Sequence, residues 1–583
     1  MCGIVGFTGT KDAAQTVYEG LKRLEYRGYD SAGVAVMSGG EINVVKKRGR
    51  VSGLGGEIFG LHGNTGIGHT RWATHGEPSD INAHPHSSGR FTLVHNGIIE
   101  NFAELKEKFF PNTAFVSQTD SEIIVRLIDK LFDGNALAAV AKVSALLKGS
   151  YALAVMCTGF EGIIAVKYKS PAVVGYGTDG NYIASDCPAL AGLCKEISVL
   201  EDGDLAVITP SEVKFYGGDL KEIRRVKKRN HAISAALDLC GCPYYMLKEI
   251  RENAAAVKAT VKAFSSVKKN LKAALVGVNR VIITGCGTAY NSGLIAKRYI
   301  ESFARIPAEA EIAGEFRYKN PVVGSGTAVI AVSQSGETAD TVGAAELSKS
   351  LGAKVIAVTN APYSALTRIA DVVVPVEAGP EICVAATKSY TGQIAALYLT
   401  ACLICGRDSS EINSLPELIS STVEHTDINS LAQICASANG VYFLGRDLDY
   451  AVAVEGSLKL KEITYIQSEG YPAGELKHGT LALIGEDKVA VVLITDKELA
   501  AKSENAVEQV LSRHGKVAVI TNVAECAERL SGRVPVIPIP ACSAELSPLL
   551  SAAAVQLLAY RTAIILKRDP DKPRNLAKSV TVE

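Results

Sequence analysis

Val281-Ile-Ile-Thr-Gly-Cys-Gly-Thr288 is an apolar strand that breaks into a glycine-rich turn. Val441-Tyr-Phe-Leu-Gly-Arg446 repeats the plan, with Gly445 lying 160 residues after Gly285. Short apolar runs bounded by turn residues read as buried strands. After the first run, residues 328–332, 354–359 and 371–376 are further strands, and 387–405 is a closing helix. After the second, 488–495, 516–521 and 534–539 are strands, and 549–566 closes the unit. Strand and helix alternate in both, which predicts two parallel α/β units of one duplicated fold. Their expected bounds are 241–425 and 426–567.

The preceding stretch, residues 2–216, reads differently. Strands are expected at 34–37, 42–46, 91–95, 151–157, 162–166 and 204–209, and helices at 13–24, 101–109, 121–132 and 137–147. They do not alternate, so an α+β domain with mostly antiparallel sheets is predicted. Residues 217–240 are expected to be a linker, and their basic run, Lys221-Glu-Ile-Arg-Arg-Val-Lys-Lys-Arg229, to be solvated. Residues 244–264 read as one long helix. The end of the chain, 568–583, has no core periodicity and is expected to fray unless something docks it.

Composition narrows the function. The 583 residues are 47% hydrophobic and 21% charged, a globular balance. Lys+Arg and Asp+Glu each number 61, so no net charge favours nucleic acid or an anionic membrane. The thirteen cysteines are scattered without a C-x-x-C pair, and Cys240-Gly-Cys242 stands alone. That pattern predicts a reduced chain without a metal site. With no signal-like start and no apolar run of 18 residues, a cytoplasmic location is expected.

The chain begins Met1-Cys2-Gly3-Ile4-Val5-Gly6. Removal of Met1 leaves a thiol and an α-amine on one residue, hence a nucleophile and a base together. A small buried thiol in a first strand is the other reading of Cys2. Three further stretches bear on the choice: Arg71-Trp-Ala-Thr-His-Gly76, His95-Asn-Gly-Ile-Ile-Glu-Asn101 and Gln118-Thr-Asp-Ser-Glu122. Cleaving a carboxamide through a thioester needs an oxyanion hole and a hook for the charged end of the substrate. Asn96 carries an amide N–H, and the Gly97 backbone allows close approach. Arg71 suits an α-carboxylate and Asp120 an α-ammonium. Taken singly, Asp120 also suits a helix N-cap, Asn96-Gly97 a turn, and Arg71 a surface ion pair.

In the α/β half, Ser333-Gln-Ser-Gly-Glu-Thr338 follows a strand and precedes a helix. Hydroxyls and free backbone N–H groups at such a terminus favour an anion, although an ordinary polar loop has the same composition. The turn at Gly285 fails the dinucleotide pattern at its last position. Glu455, Lys459 and Glu462 are spaced i, i+4, i+7 and share a helical face. They read as a solvated ion-pair ladder or as acid–base groups.

Met-Cys-Gly-Ile-Val-Gly, Arg-Trp-Ala-Thr-His-Gly, His-Asn-Gly-Ile-Ile-Glu-Asn and Thr-Asp-Ser-Glu, in that order, resemble the glutaminase domain of the class II, N-terminal-nucleophile amidotransferases. The resemblance implies an αββα sandwich over residues 2–216. Cys2 is then the nucleophile, and Asn96 and Gly97 form the oxyanion hole. Arg71, Thr74, His75 and Asp120 bind glutamine. Cys-Gly-Thr, Ser-Gln-Ser-Gly-Glu-Thr, Glu381-Ile-Cys-Val-Ala-Ala-Thr-Lys-Ser-Tyr-Thr391, Glu455-Gly-Ser-Leu-Lys-Leu-Lys-Glu462, Gly474-Glu-Leu-Lys-His-Gly479 and the terminal Asn575-Leu-Ala-Lys-Ser-Val-Thr-Val-Glu583 resemble the sugar isomerase (SIS) family, with flavodoxin-like parallel sheets.

Together these resemble the isomerizing ketose-phosphate aminotransferases. The resemblance implies L-glutamine and D-fructose 6-phosphate as substrates, ammonia passed internally past a gate at Trp72, and a homodimer. No cofactor is called for. Phosphate falls to Ser333, Gln334, Ser335 and Thr338 with Thr288 nearby, and Glu455 adjoins the sugar. Glu462 moves the C1/C2 proton and Lys459 assists. His478, from the neighbouring subunit, opens the ring. Lys578, in a catalytic tail at 568–583, forms a Schiff base with the ketose. Three residues depart from the family pattern: Ala289 and Ala386 stand where Ser is expected, and Thr480 where Pro is expected. An amidotransferase acting on another phosphosugar, and a sugar-phosphate-sensing regulator, are the alternative readings.

Overall fold

The computed structural model describes residues 2–73, 75–230 and 238–581. The chain divides into two compact bodies, Met1–Asp238 with Ala577–Glu583, and Leu239–Leu576.

The first body is built on two antiparallel sheets. At the centre of the eight-stranded sheet, Gly3–Gly9 pairs with Thr65–Arg71 on one side and Gly180–Ala184 on the other. At the centre of the seven-stranded sheet, Gly149–Cys157 pairs with Phe91–Ile99 and Ile163–Tyr168. Alternation along each strand sends one set of side chains inward. Ile4, Ala35 and Ile67 from one sheet meet Val94, Met156 and Ile163 from the other in a shared core. Helix Ala13–Leu24 covers the outer face of the first sheet. It lies so close that a Cβ on Gly68 would come within 2.4 Å of Val17. Helices Ser121–Lys130 and Ala136–Ser144 cover the outer face of the second sheet, through Ile124, Leu127 and Val140. The result is the predicted four-layer αββα sandwich.

One expectation is corrected here. The basic run at 221–229 is largely exposed, as expected, but it is not a linker. Glu222–Ile223 and Lys228–Arg229 are edge strands, one on each sheet. Arg225 donates to both oxygens of buried Asp204, each at 2.6 Å. Residues 231–237 of the expected linker lie outside the described residues.

The second body carries two five-stranded parallel sheets with one strand order. In the first the order is Ala308–Ile312, Arg280–Gly285, Thr327–Ser333, Lys354–Thr359, Val372–Pro375. In the second it is Ser468–Pro472, Val441–Gly445, Val489–Ile494, Lys516–Thr521, Val536–Pro538. This 2-1-3-4-5 order is flavodoxin-like, and ligands bind such sheets where the order reverses, beyond the strand C-termini. In the first sheet that point lies between Gly285 and Ser333, the ends of neighbouring strands. The predicted long helix is two, Tyr245–Arg251 and Asn253–Ala274. The apolar helices Lys388–Cys405 and Ser547–Ile565 are core elements. The latter is long and apolar enough to cross a membrane, yet it is 83% buried within the protein.

The first part of the tail, residues 568–574, is docked rather than frayed. Asp571 accepts from the N–H groups of Tyr245 (2.8 Å) and Met246 (2.7 Å), capping the helix they begin. The Arg574 guanidinium lies 4.3 Å from the Tyr465 ring centre.

Candidate functional site

In the first body, Cys2 lies at the head of strand Gly3–Gly9, beside the end of strand Thr65–Arg71. Its Sγ is 3.4 Å from the Trp72 N–H, which donates to it. Burial raises the thiol's pKa above its ordinary value, so the resting group is protonated and needs a base to react. Its carbonyl oxygen accepts from Asn96 Nδ2 at 3.1 Å and from Arg27 Nε at 3.2 Å. Arg27 is itself buried and held by Asp186 at 2.8 Å.

Asn96 and Gly97 are not a turn. They lie inside strand Phe91–Ile99, opposite Ala152 and Tyr151. Gly97 has φ 135°, a conformation that side chains rarely adopt, and a Cβ there would come within 1.9 Å of the Ser150 carbonyl oxygen. Only glycine fits.

Asp120 precedes helix Ser121–Lys130 but makes no side-chain cap bond to it. Its Oδ2 accepts instead from the Ile99 N–H at 2.8 Å, just beyond Gly97. Arg71 is buried and, among the described residues, forms no ion pair. Its guanidinium donates to the carbonyls of His75 and Gly76, folding its own loop back around it. The His75 ring packs edge-on against Phe102 at 5.8 Å, and the Trp72 ring edge-on against Tyr29 at 5.7 Å. Thr74 lies outside the described residues. Cys2, Trp72 and Asn96 are thus brought together, with Arg71 and Gly97 beside them in the chain.

In the second body, helix Leu448–Thr464 of the second α/β half carries Glu455, Lys459 and Glu462. They are not a solvated ladder. Glu455 is 0% and Lys459 1% exposed at the side chain, Glu462 20%. Lys459 Nζ reaches Glu462 Oε2 at 2.6 Å and Thr288 Oγ1 at 3.1 Å. Glu455 accepts from Thr288 Oγ1 at 3.0 Å and from Asn291 Nδ2 at 2.7 Å. Thr288 and Asn291 stand on the helix that follows the Gly285 turn, so the cluster joins both halves of the duplication. Burial raises the Glu455 carboxyl to about 7. Burial alone would depress the Lys459 ammonium, but Glu462 and Glu455 outweigh it and raise its pKa.

The Ser333–Thr338 loop follows strand Thr327–Ser333, at the point where the sheet order reverses. Ser333 Oγ accepts from the Gly336 N–H at 3.0 Å and pairs with Thr338 Oγ1 at 3.0 Å. Ser335 Oγ accepts from the Glu337 N–H at 3.2 Å, and Gln334 is half-buried. Helix Ala339–Ser350 then starts without a side-chain cap bond. Hydroxyls and helical N–H groups converge there in the form an anion needs.

Thr288 is committed to Glu455 and Lys459 rather than to this loop. His478 is exposed and, among the described residues, shares no hydrogen bond or ion pair with Glu455, Lys459 or Glu462. Lys578 is half-buried, in the stretch that groups with the first body. Asn291 and Arg27 were missed in the sequence. Asn291 lies three residues after Thr288, one helical turn along the same face, which was the available signal. Arg27 gave none.

The fold and the two constellations define a glutamine-amidotransferase sandwich joined to a duplicated SIS unit. Residues 69–190 match the glutamine amidotransferase domain family, and residues 274–403 and 434–566 each match the SIS domain family. Glutamine–fructose-6-phosphate aminotransferase (isomerizing) of Caldanaerobacter subterraneus subsp. tengcongensis is 43% identical, with all of both chains covered. The enzyme of that name from Aquifex aeolicus is 42% identical, again over the whole of both chains. Among solved structures, the C-terminal domain of glucosamine-fructose-6-phosphate aminotransferase from Francisella tularensis is similar, with a TM-score of 0.54 and 34% identity. It covers 58% of this chain and 99% of that one. This chain belongs to the isomerizing glutamine–fructose-6-phosphate aminotransferase family.

Proposed function

We propose that the chain converts L-glutamine and D-fructose 6-phosphate to L-glutamate and D-glucosamine 6-phosphate. The carrying observation is that one chain holds a thiol beside Asn96 and Gly97, a buried Glu455–Lys459–Glu462 cluster, and an anion-type loop at Ser333–Thr338. Cys2 Sγ attacks the glutamine carboxamide carbon after giving its proton to the α-amine that Met1 removal uncovers. Asn96 Nδ2 and the Gly97 N–H receive the oxyanion. Arg71, Thr74, His75 and Asp120 hold the glutamine. Collapse releases ammonia and leaves a thioester, which water hydrolyses to glutamate.

In the second body, Ser333, Gln334, Ser335 and Thr338 receive the phosphate. Glu462 takes the C1/C2 proton, with Lys459 assisting from 2.6 Å away and Glu455 beside the sugar. Lys578 forms the Schiff base with the ketose, and His478, contributed by a second copy in a homodimer, opens the ring. Trp72 gates the internal passage of ammonia. The domains run 2–216, 241–425 and 426–567, with the tail 568–583.

Incubation with both substrates should yield glucosamine 6-phosphate in equal amount to glutamate. Cys2→Ala should abolish glutamate release while leaving fructose 6-phosphate isomerisation. Glutamate release without an aminated hexose phosphate would favour another acceptor, and no turnover at all would sink the reading.

A further inference from the structure

Four histidines are buried near Asn96: the rings of His69, His86 and His95 lie 4.1, 4.7 and 6.4 Å from that of His84, and His69 reaches Asn96. The mechanism above uses none of them. Burial pushes the pKa of each below the ordinary imidazole value, so all four are neutral at neutral pH. In a neutral imidazole one ring nitrogen donates and the other accepts, and the neighbours decide which is which.

For His69 the neighbours leave one answer. Its Nε2 lies 2.9 Å from the backbone oxygen of His95, which can only accept. Nε2 therefore carries the hydrogen. The same Nε2 lies 3.0 Å from the Asn96 side-chain amide. Facing an N–H, that amide must present its oxygen, because an NH2 group there would set donor against donor. Its nitrogen is thereby turned to the Cys2 end, 3.1 Å from the Cys2 carbonyl oxygen. With Nε2 protonated, His69 Nδ1 is bare and accepts from His84 Nδ1, 3.1 Å away. His84 Nε2 is then bare as well, and it is buried without a hydrogen-bond partner among the described residues. Among the described residues a second proton on His84 has nothing to bond to, which favours one protonation state of the relay.

We infer that His69, oriented by His84, is the positioning residue that fixes which way the Asn96 amide faces, and so assembles the oxyanion hole. This rests on the assignment of Cys2 and Asn96 to glutamine cleavage. Without His69 the amide rotates about its last bond, and for part of the time it offers an oxygen to a developing oxyanion.

The test uses the full-length chain, with glutamate release as the assay. Leu at position 69 removes the donor. Gln keeps an N–H2 group near the place of Nε2. His69→Leu should lower kcat by roughly 10- to 100-fold, a fraction of the loss expected for deleting one oxyanion donor outright. The KM for glutamine should stay within about threefold, since the ground-state amide is not the group that Asn96 is aimed at. Alkylation of Cys2 by iodoacetamide, followed at that peptide by mass spectrometry, should stay within about twofold, because the thiol is untouched. His69→Gln should recover about tenfold of the lost kcat.

A His69→Leu chain with kcat within about threefold of the parent would overturn the proposal. So would equal losses in the Leu and Gln variants, or alkylation falling in step with kcat. Should His69→Leu fail to fold, 15N NMR of histidine-labelled parent protein decides the point. The His69 signal should show an Nε2–H tautomer that persists to about pH 5, below the ordinary imidazole pKa; an Nδ1–H tautomer refutes the relay. A parent chain that releases no glutamate refutes the functional assignment itself, which separates the two failures.

Discussion

Replacing Gly97 with alanine perturbs the proposed amide-cleaving site at one backbone N–H. The Cβ would lie 1.9 Å from the Ser150 carbonyl oxygen, 2.7 Å from its carbon and 2.8 Å from the Tyr151 Cα. Ordinary carbon contacts lie at about 3.5–4.0 Å, so the strand must retreat by more than about 1 Å. All three blocking atoms belong to backbone, in the strand that pairs with Phe91–Ile99 along nine residue pairs, and no rotamer change relieves them. The φ of 135° adds strain of about 1–3 kcal/mol. Moving the strand carries the Gly97 N–H away from the carbonyl it is to polarise. Loss of one such donor costs about 10²–10³ in kcat, or about 2.7–4 kcal/mol. Gly97→Ala should therefore hydrolyse glutamine at least about 100-fold more slowly. Fructose 6-phosphate isomerisation, carried by the other body, should persist. Glutamate release and hexose-phosphate interconversion, measured on one preparation, check both halves. Glutamine hydrolysis within about threefold of the parent would refute the reasoning, because the clash leaves no way to keep the N–H in place.

Lys459→Met should abolish glucosamine 6-phosphate formation and leave glutaminase activity intact. Stripping the buried carboxylates of their cation should cost about 3–5 kcal/mol of stability, read by denaturant unfolding of the second body. Asp571 is buried, and that burial raises its carboxyl to about 6 from an ordinary 3.8. Its contribution to stability is complete below the unfolded value and is lost as pH rises through about 6. Asp571→Asn should thus flatten the stability profile between about pH 4 and 6, by up to about 3 kcal/mol, in melts recorded across that range. Borohydride reduction in the presence of fructose 6-phosphate should label Lys578, and a Lys578→Met chain that takes up the same label at the tail would exclude the Schiff base.

The parallel sheets were legible because strands buried on both faces, such as 281–285 and 328–332, must be apolar throughout. The edge strands Ala308–Ile312 and Ser468–Pro472 were not. One carries Glu309 and Glu311 and the other ends in Pro472, and a strand paired on one side only tolerates both. The basic run at 221–229 did not read as sheet because its strands are two residues long each, and Asp204, which holds Arg225, lies 21 residues upstream in the chain. Tyr244–Phe264 looked like one helix because its apolar spacing continues across the break at Glu252.

The sequence by itself determined the division into an antiparallel and a duplicated parallel part, and the chemical types grouped around Cys2, Ser333 and Glu455. These follow from periodicity and from short motifs, which are local properties of the chain. Only the tertiary structure decided that Glu455, Lys459 and Glu462 are buried against Thr288 and Asn291 rather than solvated. It alone turned Asn96-Gly97 from a turn into a strand with one forced orientation, and joined His84 and His69 to Asn96. Each of those outcomes depends on which distant backbone comes within about 3 Å of a side chain, and hydrogen bonds act only at that range.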